Sequence, residues 1–149
     1  MSEDLLVSAE DGVLVIRFNR PEKVNAMAKR HLARLAEAIR AASDVAGVVL
    51  TGEGGNFGSG FDLDDRTGTS ADDEIDDLLV DLERAIEEIP VTVVAAVEGA
   101  CIGAACDLAV MCDLVIAAES AFFAVPAVRL GIVYRTAAVR EVLRRAGPQ

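Results

Sequence analysis

A run of very small residues beside one carboxylate is the part of this sequence best suited to chemistry. Residues 99–113 read GACIGAACDLAVMCD, and Asp107 is the first acid in the run. Because Gly and Ala carry almost no side chain, a ligand can approach the backbone N–H groups closely. Where such a run opens a helix, the first N–H groups have no partner within the helix and carry partial positive charge. This combination favours binding of a negatively charged oxygen.

A second glycine-rich segment, Gly52–Asp62 (GEGGNFGSGFD), also follows a run typical of a buried strand. Open α/β folds bind ligands in loops that follow strands. One N–H group from each segment, aimed at the same point, would form an oxyanion hole. Asp107 lies three residues after Ala104, and in a helix that spacing puts both residues on one face. The sequence therefore suggests a carboxylate about one turn from a bound oxyanion.

A purely structural interpretation fits the same residues. Small side chains also permit close packing, and an acid in the first turn of a helix is favourable in itself. Neither segment contains the GxGxxG or GxxxxGK[ST] pattern of a phosphate-binding loop. Residue types and spacing alone leave both interpretations open.

The elements that must position these segments alternate between strands and helices. This alternation predicts one α/β domain over residues 1–149, with buried and mostly parallel strands. Strands are predicted at Val13–Phe18, Gly47–Thr51, Val91–Val97, Asp113–Ala117 and Ala121–Val125. Helices are predicted at Ala26–Ala42, Asp72–Ile89, Ala104–Met111 and Thr136–Arg145.

Composition narrows the classes of partner. The chain has 149 residues, a net charge of −11 and 52% hydrophobic residues. A charge of this sign disfavours nucleic acid and anionic membrane surfaces as partners. The acidic N-terminus does not resemble a signal peptide, and no segment is long enough to span a bilayer. We therefore expect a cytoplasmic protein.

The cysteines and the single histidine are predicted to be chemically silent. Cys101, Cys106 and Cys112 lack CxxC spacing, so we expect buried free thiols with no disulfide framework and no metal site. His31 lies within the charged sequence KRHLAR, which predicts an exposed side chain without a catalytic role.

Three motifs in order along the chain resemble those of the crotonase, or enoyl-CoA hydratase/isomerase, superfamily. They are NRPEKVNAM (Asn19–Met27), VVLTGEGGNFGSGFDL (Val48–Leu63) and the long segment Pro90–Ile132. The resemblance implies a crotonase-like spiral of ββα units that binds an acyl-CoA thioester, with coenzyme A as part of the substrate and no separate cofactor. Family members continue into a C-terminal helical region that builds trimers or hexamers. On this resemblance that region is missing or truncated here, and a homo-oligomer is expected if it exists.

The resemblance also assigns roles to individual residues. It puts the two oxyanion-hole donors on the backbone N–H groups of Phe61 and Ala104. Asp107 matches the first of the two glutamates that hydratases of the family use, whereas Ala127 stands where the second would be. Further residues are expected to contact the substrate, with the first two of them near the nucleotide end of coenzyme A: Arg20, Lys23, Ala26, Ser59, Gly60, Gly103 and Ala127.

Three functions follow from these assignments. The leading one is an enoyl-CoA hydratase/isomerase-like lyase or isomerase of fatty-acid metabolism that acts through a thioester enolate. Tyr134 resembles a tyrosine of the methylmalonyl-CoA decarboxylase branch, which makes a decarboxylase the second. The third is a non-catalytic acyl-CoA-binding or assembly subunit, which the missing second acid at position 127 favours.

Overall fold

A mostly parallel sheet organises the molecule, and its connections carry the helices. The computed structural model describes residues 4–65, 70–131 and 136–147. The strands are β1 (Leu5–Glu10), β2 (Val13–Phe18), β3 (Gly47–Gly52), β4 (Thr92–Val97), β5 (Ala100–Ile102), β6 (Leu114–Ala117) and β7 (Phe122–Ala124). The helices are α1 (Lys29–Arg40), α2 (Ser70–Glu88), α3 (Ala104–Met111) and α4 (Thr136–Ala146). Together they give the α/β fold that the sequence predicts.

The larger sheet brings the three motifs to one edge. Its strand order is β1-β2-β3-β4-β6. β1 and β2 form an antiparallel hairpin, whereas β2, β3, β4 and β6 run parallel to one another. Because parallel strands end at the same edge, the loops that follow β2, β3 and β4 lie together. Those loops contain the NRPEKVNAM, GEGGNFGSGFD and GACIG sequences.

A smaller sheet forms where these loops meet. β5 pairs in parallel with β7, and isolated bridges join Met27 to Phe61 and Gly58 to Cys101. The strands predicted from the sequence do not include Gly99–Gly103, but Ala100–Ile102 within this segment forms β5. Three residues are too few to give a periodic pattern, so this strand is defined by its tertiary partners.

Two long helices cover the sheet through apolar stripes. α1 buries Leu32, Leu35 and Ile39, which lie on one face of the helix. α2 packs against α1 and buries Ile75, Leu79, Leu82 and Ile86 in the same core. Each of these side chains contributes roughly 1.5–3 kcal/mol when fully buried. The two helices therefore provide a rigid support for the strand ends.

The start of α1 differs from its predicted position for an identifiable reason. The helix was expected from Ala26 but begins at Lys29. The Met27 N–H donates to the Gly60 carbonyl at 2.8 Å, so this segment is extended and bound to the next loop. A pairing with a residue more than thirty positions away is invisible to helical periodicity.

His31 is not exposed, contrary to the sequence prediction. Its side chain is 2% exposed. The ring Nδ1 accepts the Ala28 N–H at 2.9 Å at the start of α1, and Nε2 lies 3.0 Å from Asp4 Oδ2. Because Nδ1 is an acceptor, the ring proton is on Nε2 and points to the carboxylate. His31 is thus a buried helix cap in a charged stretch.

Two other predictions concern the cysteines and the membrane. Cys101, Cys106 and Cys112 are free and buried, as predicted. No helix within the described ranges combines the length and apolar composition needed to cross a bilayer.

Candidate active site

The segment Gly58–Phe61 runs between two neighbours and hydrogen-bonds to both. On one side the Gly58 N–H donates to the Ala100 carbonyl at 2.8 Å, and the Ile102 N–H donates to the Gly58 carbonyl at 2.9 Å. On the other side the Met27 N–H donates to Gly60 and the Asp62 N–H donates to Met27. The loop after β3 is therefore fixed between the loops after β2 and β4.

This pairing determines the direction of the Phe61 N–H. In extended backbone, successive N–H groups point to opposite sides. Since the Asp62 N–H is turned toward Met27, the Phe61 N–H is turned away from it, toward the β5 and α3 side. Within the described part of the chain, neither the Phe61 N–H nor the Ala104 N–H donates a hydrogen bond. Both predicted donors thus lack an acceptor there.

Gly60 is in close contact with the start of α3. Its φ is +96°, a conformation that side chains rarely adopt. A Cβ built on Gly60 would lie 2.8 Å from the Ile102 carbonyl oxygen and 3.4 Å from the Ala104 nitrogen. The backbone beside Phe61 therefore lies close to the backbone at Ile102 and Ala104, and the Ile102 carbonyl leaves no room for a Cβ at position 60.

Helix α3 begins at Ala104, as predicted, and carries Asp107 in its first turn. Gly103 precedes the helix with φ +56° and ψ −121°, and its carbonyl accepts the Cys106 N–H at 2.9 Å. Asp107 is 3% exposed and shares a face with Ala104. Burial of a carboxylate is costly, which makes such a residue a candidate for function.

Asp107 lines a small cleft at the junction of three helices. Besides Asp107, the lining comes from α2, from the rest of α3 and from the start of α4: Glu83, Val110, Met111, Ala137, Ala138 and Glu141. Three carboxylates and four apolar side chains line this cleft. In residues 4–65, 70–131 and 136–147 no group of three or more His, Cys, Asp or Glu side chains is placed to hold a metal ion.

The two cations predicted to contact coenzyme A are engaged within the protein. Arg20 Nη1 lies 2.9 Å from Asp62 Oδ2, and Lys23 Nζ lies 3.0 Å from the same oxygen. Lys23 also contacts Asp64 at 2.8 Å. These partners, Lys23 first and Arg20 after it, lower the pKa of Asp62 to about 2. The Arg20 side chain is 11% exposed and that of Lys23 40%, so Lys23 is the better placed to meet a ligand.

Two asparagines that sequence reasoning missed tie the three loops together. Asn25 is buried with φ +53°; its Oδ1 accepts the Arg20 N–H, and its Nδ2 donates to the carbonyls of Glu53 and Asn56. Asn56 Oδ1 in turn accepts the Ala100 N–H at 3.0 Å. Asparagine tolerates positive φ and readily bonds to backbone groups, which was the available signal in these loops.

The remaining predicted residues surround the same loops. Ala26 is buried, and the Ser59 Oγ donates to the Lys23 carbonyl at 3.1 Å. The Gly103 N–H donates to the Ala124 carbonyl at 2.8 Å, which brings the segment leading to Ala127 beside the start of α3.

Ala127 and Tyr134 complete the predicted set. Ala127 is buried in the short 3₁₀ turn Ala127–Leu130. Tyr134 lies outside the described residues.

Comparisons with known proteins identify the family. The protein-family model described as Enoyl-CoA hydratase/isomerase matches residues 8–149. The crotonyl-CoA hydratase of Syntrophomonas wolfei is 34% identical over 98% of this chain and 58% of its own length. The 2,3-dehydroadipyl-CoA hydratase of Escherichia coli is 32% identical over 99% of this chain and 58% of its own length.

Solved structures give the same result. An enoyl-CoA hydratase/carnithine racemase from Magnetospirillum magneticum superposes with a TM-score of 0.90 at 26% identity, over 99% of this chain and 58% of that one. The chain thus spans a little over half the length of the relatives it matches. With a family match over nearly its whole length and a matching crotonase fold, the chain belongs to the enoyl-CoA hydratase/isomerase family.

Proposed function

We propose that this chain is the core of an enzyme that processes acyl-CoA thioesters through an enolate, with the backbone N–H groups of Phe61 and Ala104 as its oxyanion hole. The observation that carries the proposal is the contact of Gly60 with Ala104, which brings together two loops whose next N–H groups have no acceptor among the described residues. The relatives named as hydratases of crotonyl-CoA and 2,3-dehydroadipyl-CoA support the substrate class.

The proposed chemistry uses the main chain as the charge acceptor. When the α-proton of a thioester leaves, negative charge moves to the carbonyl oxygen, which accepts hydrogen bonds from both N–H groups. Because these donors are held in place before the reaction, no reorganisation is needed as the charge develops. Loss of one such donor typically lowers the rate ~10²–10³-fold.

Asp107 is proposed as the base that takes or returns the α-proton. It shares the helix face of Ala104 and is buried, so it lies about one turn from the proposed oxyanion. One carboxylate suffices for reversible proton removal, the step that hydratases and isomerases of this family have in common.

The proposal is tested by exchange of the α-hydrogens of butyryl-CoA in deuterium oxide, followed by mass spectrometry. We expect the wild-type protein to catalyse exchange and Asp107→Asn to lower the rate ~10²–10⁴-fold. Glu119→Gln, at an exposed position outside the site, is the matched control and should exchange like wild type.

Thermal shift with the same ligand separates the alternatives. Stabilisation by butyryl-CoA without any exchange would overturn the enzyme proposal in favour of an acyl-CoA-binding or assembly subunit. Exchange that survives Asp107→Asn would contradict the role of that residue.

A further inference from the structure

We infer that Glu83 is a second catalytic carboxylate of this site, and that it acts across the α2–α3–α4 cleft from Asp107. This inference rests on the proposed function and extends it to a complete reaction, the hydration of a 2-enoyl thioester. The family resemblance leads one to expect the second acid at position 127, but Ala127 cannot carry a proton. Glu83 would supply the second carboxylate from a different element, helix α2.

The position of Glu83 on α2 places it next to the core. It lies four residues after Leu79 and three before Ile86, both of which are buried. In a helix these spacings put Glu83 on the margin of the apolar stripe, where the side chain is half-buried. Its neighbours Arg84 and Glu87, by contrast, are exposed.

Glu83 and Asp107 approach one cleft from different helices. Both line it, together with Val110, Met111 and Ala138. Asp107 belongs to α3, whose first residue supplies a proposed oxyanion donor, and Glu83 belongs to α2. Two carboxylates that line one partly apolar space can act on one substrate as base and acid.

Glu141 lines the same cleft but is held by other groups. Its carboxylate accepts hydrogen bonds from Arg144 Nε at 3.0 Å and Arg145 Nε at 3.2 Å. These guanidinium groups, Arg144 first, lower the pKa of Glu141, which keeps it ionised. Glu83 has no hydrogen bond or ion pair with any other described residue, so its carboxyl group is available for proton transfer.

The reaction balances with water as the only co-reactant. The Glu83 carboxylate takes a proton from water while the water oxygen bonds to C3 of the enoyl group. The electron pair of the C2–C3 double bond moves into the enolate, whose oxygen accepts hydrogen bonds from the two N–H groups. Protonated Asp107 then gives its proton to C2 as the enolate collapses to the thioester, which is the α-proton transfer proposed for it above. Transfer of the proton from Glu83 to Asp107 through the cleft restores both groups.

The test is hydration of crotonyl-CoA, followed by the loss of enoyl-thioester absorbance. We expect Glu83→Gln to lower kcat ~10²–10⁴-fold with KM changed less than twofold. Glu83→Asp should recover part of the rate. Glu87→Gln, exposed one turn along the same helix, should behave like wild type.

Each outcome decides the inference. A Glu83→Gln protein that melts like wild type and hydrates at more than half its rate would overturn it. So would a wild-type protein that exchanges α-hydrogens but does not hydrate crotonyl-CoA, and this result would leave the proposed function standing. A wild-type protein with neither activity would overturn both. If Glu83→Gln melts at a lower temperature than wild type, Glu83→Asp provides the test instead. A Glu83→Asp protein that melts like wild type but hydrates no faster than Glu83→Gln would overturn the inference.

Discussion

Asp62 is the residue on which the contact between the first two loops depends most. It is 8% exposed and forms ion pairs with both Arg20 and Lys23, which lie in the loop after β2. Arg20 also donates to the Ala26 carbonyl of its own loop at 2.8 Å, so its guanidinium is held by that loop while it pairs with Asp62 of the next loop. A buried charge of this kind is stable only while its partners stay in place.

We predict that Asp62→Asn lowers the free energy of unfolding by about 1.5–3 kcal/mol, because the hydrogen bonds lost are charge-assisted and Arg20 stays buried without its partner. Urea denaturation measures this change. Asp64→Asn is the matched control: its side chain is 83% exposed, so the change should stay within about 0.5 kcal/mol. Equal effects of the two substitutions would contradict the structural role of Asp62.

The same residues predict how stability depends on pH. Arg30 and His31 lower the pKa of Asp4 from an ordinary 3.8 to about 2, and that of Asp62 falls equally far. Between these values the unfolded chain binds more protons than the folded one, so stability falls as pH drops through this range. Denaturant midpoints measured from neutral to acidic pH should decline steeply there, and Asp62→Asn should flatten the decline.

His31 makes stability depend on pH in a higher pH range than Asp4 and Asp62 do. Burial lowers its pKa below the ordinary 6.5, although Asp4 opposes this shift. The folded state therefore prefers the neutral ring, and stability falls as pH drops below about 6.5. A chain carrying His31→Gln should lack this early decline, and an unchanged profile would contradict the buried, neutral histidine.

At the scale of elements, the junction of β5 with α3 positions the proposed oxyanion hole. Its geometry depends on Gly60, whose φ is positive and which leaves no room for a Cβ. Because the proposed donors belong to the backbone, any shift of either loop moves a donor. Small displacements of reacting groups have large effects on rate.

We predict that Gly60→Ala lowers the α-hydrogen exchange of butyryl-CoA about 10²-fold, because its Cβ would lie 2.8 Å from the Ile102 carbonyl oxygen. The strained φ also costs about 1–3 kcal/mol of stability. Gly55→Ala is a close control: its φ is +73°, yet its Cβ would meet nothing within 4 Å. It should lose similar stability and keep the exchange rate, and a parallel loss of rate in both variants would contradict the argument.

The elements of the fold were largely predictable, whereas the contacts of the site were not. The long apolar stripes of α1 and α2 and the β-branched runs of β2, β3 and β4 carry their own periodic signals, and α3 matched its predicted bounds. β1 lacks such a signal, since LLVSAE mixes polar and apolar residues and is fixed by pairing with β2.

The polar contacts escaped prediction because they join distant positions. Arg20 and Lys23 contact Asp62 about forty residues further along the chain, and Asn25 contacts Asn56, 31 residues away. Nothing in local sequence specifies such pairs. The family resemblance identified Arg20 as a candidate substrate contact, but it did not predict the ion pair between Arg20 and Asp62. That ion pair is seen only in the structure.

At the scale of the whole molecule, the interior hides every thiol. Cys101, Cys106 and Cys112 are all buried, and burial raises the pKa of Cys112 to about 12. Cys112 therefore forms little thiolate at neutral pH, and thiolate is the reactive form. Burial also keeps all three sulfur atoms away from a reagent in solution.

We therefore predict that a disulfide reagent such as DTNB modifies the native protein slowly and all three cysteines quickly after unfolding. Absorbance of the released thiolate counts the groups. Cys112→Ser should lower the count in the unfolded state by one. A fast phase in the native protein would contradict the packing of these side chains.

Strand β6 of the larger sheet and strand β7 of the smaller sheet expose apolar side chains. β6 is an edge strand, and Leu114, Ile116, Phe122 and Phe123 on β6 and β7 are each about half exposed or more. Exposed apolar surface on an edge strand is typical of a region that another chain or segment covers.

We predict that the chain self-associates through this surface. Ile116→Lys should then shift the molar mass measured by light scattering after gel filtration toward that of one chain. Val7→Lys, which also replaces an exposed apolar residue but on the far strand β1, should leave the mass unchanged. A wild-type protein that is already monomeric at high concentration would contradict this prediction.

The close approach of Gly60 to Ala104 has a consequence for which substitutions the site can accept. The groups proposed to hold the substrate oxygen are peptide groups, which every amino acid except proline supplies. The side chains at 61 and 104 can therefore be exchanged in a combinatorial library without deleting a donor, provided that the glycine at 60 is retained. Substitutions at these two positions could then change the selectivity for the acyl group, while the peptide N–H groups that stabilise its enolate would remain.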